Sequence, residues 1–183
     1  MHWLNFKRYK SDVAKQAVPP HLNAAEFARH YADKPQADTE EYLSLSGEMC
    51  WDAVVLCAHR SGALSKAKYK QLWQTVFDKQ YKHFVSPDDT EIRTMADMLR
   101  APQGCFIGIF SLRDATAPRL LHAMIGTGAG FAAGNKNLCI GVGGAVGWEN
   151  LNLARDLRWQ PAGGFLRQGD NEVLRIFYRP FPA

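Results

Sequence analysis

The chain has 183 residues, of which 46% are hydrophobic and 22% are charged, and its formal net charge is +4. This balance is typical of a globular domain with a real core. The lysines and arginines are scattered rather than clustered, so nucleic-acid binding is not expected. No stretch approaches about 18 uninterrupted apolar residues, and the first residues hold no continuous apolar core, so neither a transmembrane segment nor a signal peptide is predicted.

Residues 1–22 end in Pro19-Pro20 and are predicted to form a loosely attached arm, followed by a single domain over residues 23–183. Without a signal peptide, we expect a protein that is cytoplasmic when made, and export would need a signal-independent secretion route. The four cysteines have no close pairing pattern and are predicted to be free thiols, as in a reducing compartment. They are Cys50, Cys57, Cys105 and Cys139.

Helical spacing predicts four helices in the first half, over residues 23–33, 47–61, 65–80 and 87–100. The first begins with a capping-box pattern at Asn23, and the last begins at Ser86 with Pro87 in its first turn. After Pro102 the pattern changes to short β-branched and aromatic segments, which predict strands over residues 105–112, 120–128, 137–143 and 173–181. Residues 148–159 fit either a short helix or a strand. Helices followed by strands predict an α+β fold with a mostly antiparallel sheet.

Cys50 is placed in the first turn of the second predicted helix, with Ser46 and Gly47 upstream as candidate N-cap residues. Unpaired backbone N–H groups and the helix dipole favour a negative charge there, so a thiolate would be stabilised. The alternative is structural, because a free cysteine in an apolar helix commonly behaves as a small buried hydrophobe.

A thiol nucleophile needs a base, and His122 is the best placed of the six histidines because it opens an apolar strand. His59 is nine residues after Cys50, which puts it on the opposite face of the same helix. Asn137 follows His122 by fifteen residues at the start of the next predicted strand, where its amide can orient the imidazole. Asn135 is the competing candidate, and either asparagine can instead simply form the turn.

The order of Cys50-Trp51 on an early helix, His122 opening a strand and Asn137 on the next strand resembles the papain-like cysteine peptidase superfamily. The resemblance implies a papain-like fold in which the N-terminal helices pack on the sheet. It also implies that Cys50 is the nucleophile, His122 the general base and Asn137 the orienting residue, with Trp51 packed beside the thiol. Short secreted bacterial effectors and toxins share this order.

The sequence departs from that family upstream of Cys50, where the family's oxyanion-hole glutamine is missing. Ser44 or Ser46 would have to donate in its place. The loss of one such donor lowers the rate by on the order of 10²–10³.

The expected function is therefore hydrolysis of an amide bond by a thiol, either as a peptidase or as a deamidase, on a protein or peptide substrate or on peptidoglycan. The alternative is a non-enzymatic effector or protein-binding module, with Cys50 in the core and the apolar C-terminus at a partner interface. A secretion-system or immunity protein is a further expected partner.

No cofactor and no metal site are predicted, because no CxxC or HxxxH spacing occurs. The glycine cluster from Gly141 to Gly147 follows an apolar segment, as a dinucleotide-binding turn would. Val146 occupies the place of the third glycine of that motif, however, and too few residues follow it for a nucleotide-binding sheet. The glycines instead indicate either close approach of a substrate backbone or flexible turns.

Overall fold

The computed structural model describes residues 19–32, 40–75, 85–114, 116–144 and 146–181. Most of the predicted N-terminal arm, residues 1–18, lies outside this range. Six α-helices are present in the described part of the chain: α1 (Pro20–Ala32), α2 (Glu40–Gly47), α3 (Cys50–Arg60), α4 (Lys66–Thr75), α5 (Met95–Arg100) and α6 (Leu153–Asp156). None of the helices in these ranges is long and apolar enough to cross a membrane.

All strand pairs of the sheet are antiparallel. The strands are β1 (Thr90–Ile92), β2 (Cys105–Ser111), β3 (Arg119–Gly128), β4 (Phe131–Asn135), β5 (Trp148–Asn152), β6 (Arg158–Trp159), β7 (Phe165–Leu166) and β8 (Val173–Pro180). They follow the order β5-β4-β3-β2-β8-β7-β6, with β1 added to β8. The sheet curls into a half-barrel, which confirms the predicted α+β class.

The sheet separates two hydrophobic cores. On one face, here called the helix face, α1, α2 and α3 pack against β3, β4 and β5. Residues of α3 supply much of that core, together with Ala123, Ala133 and Trp148 from the sheet. On the opposite face, α5 and α6 cover side chains such as Met124 and Ala132. Because successive side chains of a strand point to opposite faces, adjacent residues of β3 belong to different cores.

The helices differ from the sequence prediction mainly at their starts. α1 begins at Pro20, a residue suited to the first helical position, so Asn23 lies inside the helix rather than at its cap. α3 begins at Cys50, and Gly47 belongs to the separate α2, which was not predicted. α4 begins within one residue of its predicted start, and residues 76–80 of that prediction lie outside the described ranges.

The predicted helix over 87–100 is wrong in its first half. The Asp89 carboxylate accepts a hydrogen bond from the Ser86 N–H at 2.6 Å and one from Arg179 at 2.8 Å, which ties this segment to β8. Residues 90–92 then pair with β8 as β1. The helix starts only after Thr94, whose side chain forms a reciprocal capping box with Asp97.

The predicted strand over 137–143 is also wrong. Residues Leu138–Ile140 form a short 3-10 helix, and Gly141 and Gly143 then adopt positive φ angles, which a paired strand does not use. The partner of β3 is instead β4, which follows a turn with positive φ at Ala129 and Gly130. Residues 148–159, for which the sequence fitted either a helix or a strand, form strand β5, helix α6 and strand β6 in turn.

Candidate functional site

Cys50 is the first residue of α3, so the predicted position of the thiol in the first helical turn is confirmed. The N-cap is Met49 in extended conformation, and no side chain caps the helix, so the prediction of Ser46 and Gly47 as caps is wrong. The Cys50 sulfur instead receives hydrogen bonds from the backbone N–H groups of Ala123 and Trp51. Because Ala123 lies on β3, the thiol is anchored to the strand that also carries His122.

Burial decides the protonation state of this thiol. Desolvation raises the pKa of Cys50 to about 11, although the N–H groups of Ala123 and Trp51 act to lower it. The nearby Cys139 thiol and the Asp52 carboxyl disfavour the thiolate further. The unliganded protein therefore holds Cys50 as a neutral thiol at neutral pH.

His122 lies on β3, one residue before Ala123, but its side chain leaves the strand on the opposite face. Its cross-strand partner is Ile109, which belongs to the core of that face. The imidazole is 1% exposed, and among the described residues neither ring nitrogen has a hydrogen-bond partner. Burial alone lowers the pKa of His122 to about 4. Cys50 thus contacts Ala123, the residue next to His122, but its sulfur is not hydrogen-bonded to the His122 ring.

The two asparagines are occupied elsewhere. Asn137 caps the 3-10 helix, and its Oδ1 accepts the N–H of Cys139 at 2.7 Å. Asn135 lies on the helix face, where its amide nitrogen donates to the Glu48 carbonyl just before Cys50. Neither asparagine bonds to His122, so neither orients the imidazole as the resemblance implies.

The two serines proposed for the oxyanion hole donate within their own helix. The Ser44 hydroxyl bonds to the Glu40 carbonyl at 2.7 Å, and the Ser46 hydroxyl bonds to the Tyr42 carbonyl at 2.6 Å. These bonds run along α2 rather than toward Cys50. Trp51 is buried beside Cys50, and its ring lies 6.4 Å from that of Phe106. Trp51 therefore anchors the start of α3 in the helix-face core.

Glu149 is a half-buried polar residue near this site that the sequence reasoning missed. It lies on β5 directly opposite Gly134 of β4. Its Oε2 accepts the Gly144 N–H at 3.0 Å, while its Oε1 is shielded from solvent without a hydrogen-bond partner in the described ranges. Burial raises the pKa of Glu149, which Gly144 and Lys136 act to lower. A charged residue inside the β-patterned segment WENLN, beside a glycine cluster, was the available sequence signal.

The glycine cluster folds over these charged side chains. A Cβ on Gly143 would overlap the Glu149 carboxylate, and one on Gly144 would lie 2.7 Å from Cδ of Lys136. The close approach that these glycines permit is therefore to the protein's own side chains. The loop therefore lies against Glu149, the cross-strand partner of Gly134.

The remaining candidate residues lie apart from the Cys50 site or at its edge. His59 stacks on Tyr69 with ring centroids 4.5 Å apart, on the far part of α3. Cys57 and Cys105 are buried, whereas Cys139 is exposed, and all four cysteines are free thiols. Within the described ranges no three histidine, cysteine or acidic side chains are grouped so that they could hold a metal ion.

Comparisons with protein-family models, with curated proteins and with solved structures find no match to this chain.

Proposed function

We propose that this protein is a papain-like thiol hydrolase that cleaves an amide bond, with Cys50 as the nucleophile and His122 as the base. One observation carries the proposal: the Cys50 sulfur is held by the N–H of Ala123, the residue directly after a buried His122 whose ring nitrogens have no partner. A buried imidazole without hydrogen bonds is costly and needs an explanation. A role as the proton acceptor for the adjacent thiol supplies one.

The chemistry follows from these positions. His122 takes the proton from the Cys50 thiol, and the thiolate attacks the carbonyl carbon of the amide. The tetrahedral intermediate collapses as His122 returns the proton to the leaving amine, which leaves a thioester on Cys50. Water, deprotonated by His122, then hydrolyses the thioester and releases the acid. The backbone N–H groups in the first turn of α3 are suited to the oxyanion, because no carbonyl of the same helix accepts from them.

Catalysis requires a change in the unliganded arrangement. His122 points to the face opposite α3, so its ring has to turn toward the edge of β3 where the thiol lies. The register between β3 and β4 ends at Ile125 and Ala133, just before this point. Catalytic hydrogen bonds are often long or poorly aligned before substrate binds. We expect the substrate to bring the two side chains together.

Iodoacetamide labelling at pH 6 tests the pairing. The exposed Cys139 would react first in any assay, so the experiment uses a Cys139→Ser background. With a peptide-amide ligand present, Cys50 should label at least about tenfold faster than Cys57 and Cys105, and His122→Ala should abolish the difference. His59→Ala is the matched control, since it removes a histidine of α3 that stacks on Tyr69 and should leave the rate unchanged. Slow labelling that His122→Ala does not alter would refute the hydrolase.

A second candidate, a non-enzymatic protein-binding module, is favoured by the exposed apolar side chains around Cys50. Met49, directly before Cys50, is 73% exposed, and Leu138, next to Cys139, is 62% exposed. Exposed apolar clusters of this kind are typical of interaction surfaces. If the protein is a binding module, Cys50→Ala should leave its action on the target protein unchanged. A combined Met49→Ser and Leu138→Ser variant should abolish that action. The hydrolase predicts that Cys50→Ala alone abolishes that action.

A further inference from the structure

The proposed base lacks the polar partner that would hold its ring. A catalytic histidine normally donates one ring N–H to a third side chain, which fixes the tautomer and leaves the other nitrogen free to accept a proton. Asn137 bonds to the Cys139 N–H, and Asn135 bonds to the Glu48 carbonyl on the helix face. A residue that orients the imidazole must therefore lie on the face of the sheet to which His122 points.

Strand register identifies the polar side chain on that face. Ala132 and Met124 belong to the opposite-face core, and Gly134, two residues after Ala132, points the same way as both. Glu149 is the cross-strand partner of Gly134, and cross-strand partners share a face. His122 precedes Met124 by two residues on β3. Glu149 and His122 therefore project from one face of the sheet, on the two strands that flank Gly134.

Gly134 leaves the space between them open. A Cβ at this position would lie 3.6 Å from Nε2 of His122, so the imidazole already leans over the glycine. With Nε2 directed at Gly134, Nδ1 is the nitrogen nearer the backbone and the Ala123 N–H that holds the Cys50 sulfur. This orientation assigns Nδ1 to the thiol proton and Nε2 to the third residue.

Both groups also carry unused hydrogen-bonding capacity. Nε2 of His122 and Oε1 of Glu149 are shielded from solvent and without partners in the described part of the chain. Two such atoms on one face, separated by a glycine, form a complementary donor and acceptor. Lys136, which lies under the same glycine loop, is the charged group that faces Glu149.

We propose that Glu149 is the positioning residue for His122, accepting the Nε2–H of the imidazole across Gly134 when the site closes on substrate. The assignment rests on the proposed thiol hydrolase, because it gives His122 a role only as the base for Cys50. Glu149 is proposed to act through His122 and not on the thiol itself. Its effect is to hold the tautomer whose Nδ1 can accept the Cys50 proton.

The test compares Glu149→Gln with Glu149→Asp in the Cys139→Ser background, with peptide-amide ligand present. Glu149→Gln keeps the shape and removes the charge, and its side-chain oxygen can still accept the Gly144 N–H. It should slow iodoacetamide labelling of Cys50 at pH 6 by at least about tenfold, and Glu149→Asp should recover part of the rate. The double variant of Glu149→Gln and His122→Ala should be no slower than His122→Ala alone, since both act through one group.

A second readout separates this inference from the function on which it rests. Titration of His122 by NMR should show a lower apparent pKa in Glu149→Gln than in the parent, because a carboxylate partner favours the imidazolium. If His122→Ala slows labelling but Glu149→Gln changes neither the rate nor the titration, the hydrolase stands and the role of Glu149 is overturned. If His122→Ala has no effect on labelling, the hydrolase itself fails, and the role of Glu149 falls with it.

Discussion

The two faces of the sheet differ in how their buried and half-buried polar side chains are hydrogen-bonded. On the helix face, Trp148 donates from Nε1 to the Ala28 carbonyl at 2.7 Å, and Asn135 donates to the Glu48 carbonyl. On the opposite face, His122 bonds to none of the described residues, and Glu149 uses one of its two carboxylate oxygens. Trp148 and Asn135 thus attach helices to strands, although Oδ1 of Asn135 has no partner in the described ranges. On the opposite face, both ring nitrogens of His122 and Oε1 of Glu149 are without a partner there. Unused capacity in a buried group commonly marks function rather than stability.

The largest expected effect is a loss of stability in acid caused by His122, on the opposite face of the sheet. The pKa of His122 is about 4 in the folded protein and about 6.5 when unfolded, so the unfolded state binds the proton first as the pH falls. The free energy of unfolding should therefore be highest above pH 6.5. It should fall by about 3 kcal/mol as the pH is lowered toward 4, because protonation of His122 favours the unfolded state. His122→Leu should remove this part of the pH dependence.

Urea unfolding at pH 7 and at pH 4.5 measures this difference. His30→Gln is the matched control because His30 is exposed, and it should keep the parent's acid sensitivity. If His122→Leu loses as much stability between pH 7 and pH 4.5 as the parent protein, the imidazole has a partner in the folded state. The contrast between the two faces would then fail.

Trp148→Phe tests the helix face. The substitution removes the indole N–H that donates to the Ala28 carbonyl and removes volume from a fully buried site, so we expect a loss of about 2 kcal/mol. No titratable group takes part, so the loss should be equal at pH 7 and at pH 4.5 in the same urea experiment. A loss that grew in acid would show that the helix face also contains a group that titrates.

The smallest expected effects separate the two asparagines. Asn135→Ala removes the bond to Glu48 and should cost about 1 kcal/mol. It should also alter the labelling rate of Cys50, because that bond holds the segment entering α3. Asn137→Ala removes the cap of the 3-10 helix, at about 0.5–1 kcal/mol, and should leave Cys50 labelling unchanged. A slower Cys50 reaction in Asn137→Ala at normal stability would restore Asn137 as the orienting residue.

The long periodic segments were predictable, and the short ones were not. α3, β2 and β3 follow directly from apolar spacing. Cys50 does lie in the first turn of its helix, although the caps from which that position was predicted, Ser46 and Gly47, are wrong. The segment from Asn137 to Gly143 has the composition of a strand, but positive φ angles at its glycines prevent pairing. Residues 87–94 were predicted as helix because Ser86 and Pro87 resemble a helix start, but the capping box that starts α5 begins at Thr94, eight residues after Ser86.

The amino-acid sequence by itself determined the α+β class, the thiol at a helix start and the strand that carries His122, because these depend on local periodicity and on helix termini. Only the tertiary structure decided which face of β3 each side chain occupies and which strands lie beside it. That choice depends on register, since a shift of one residue exchanges the faces of a strand. It places Ala123 against the Cys50 thiol and puts the side chain of His122 on the same face of the sheet as Glu149. Local sequence patterns cannot predict that Glu149, a residue of β5, shares this face with His122.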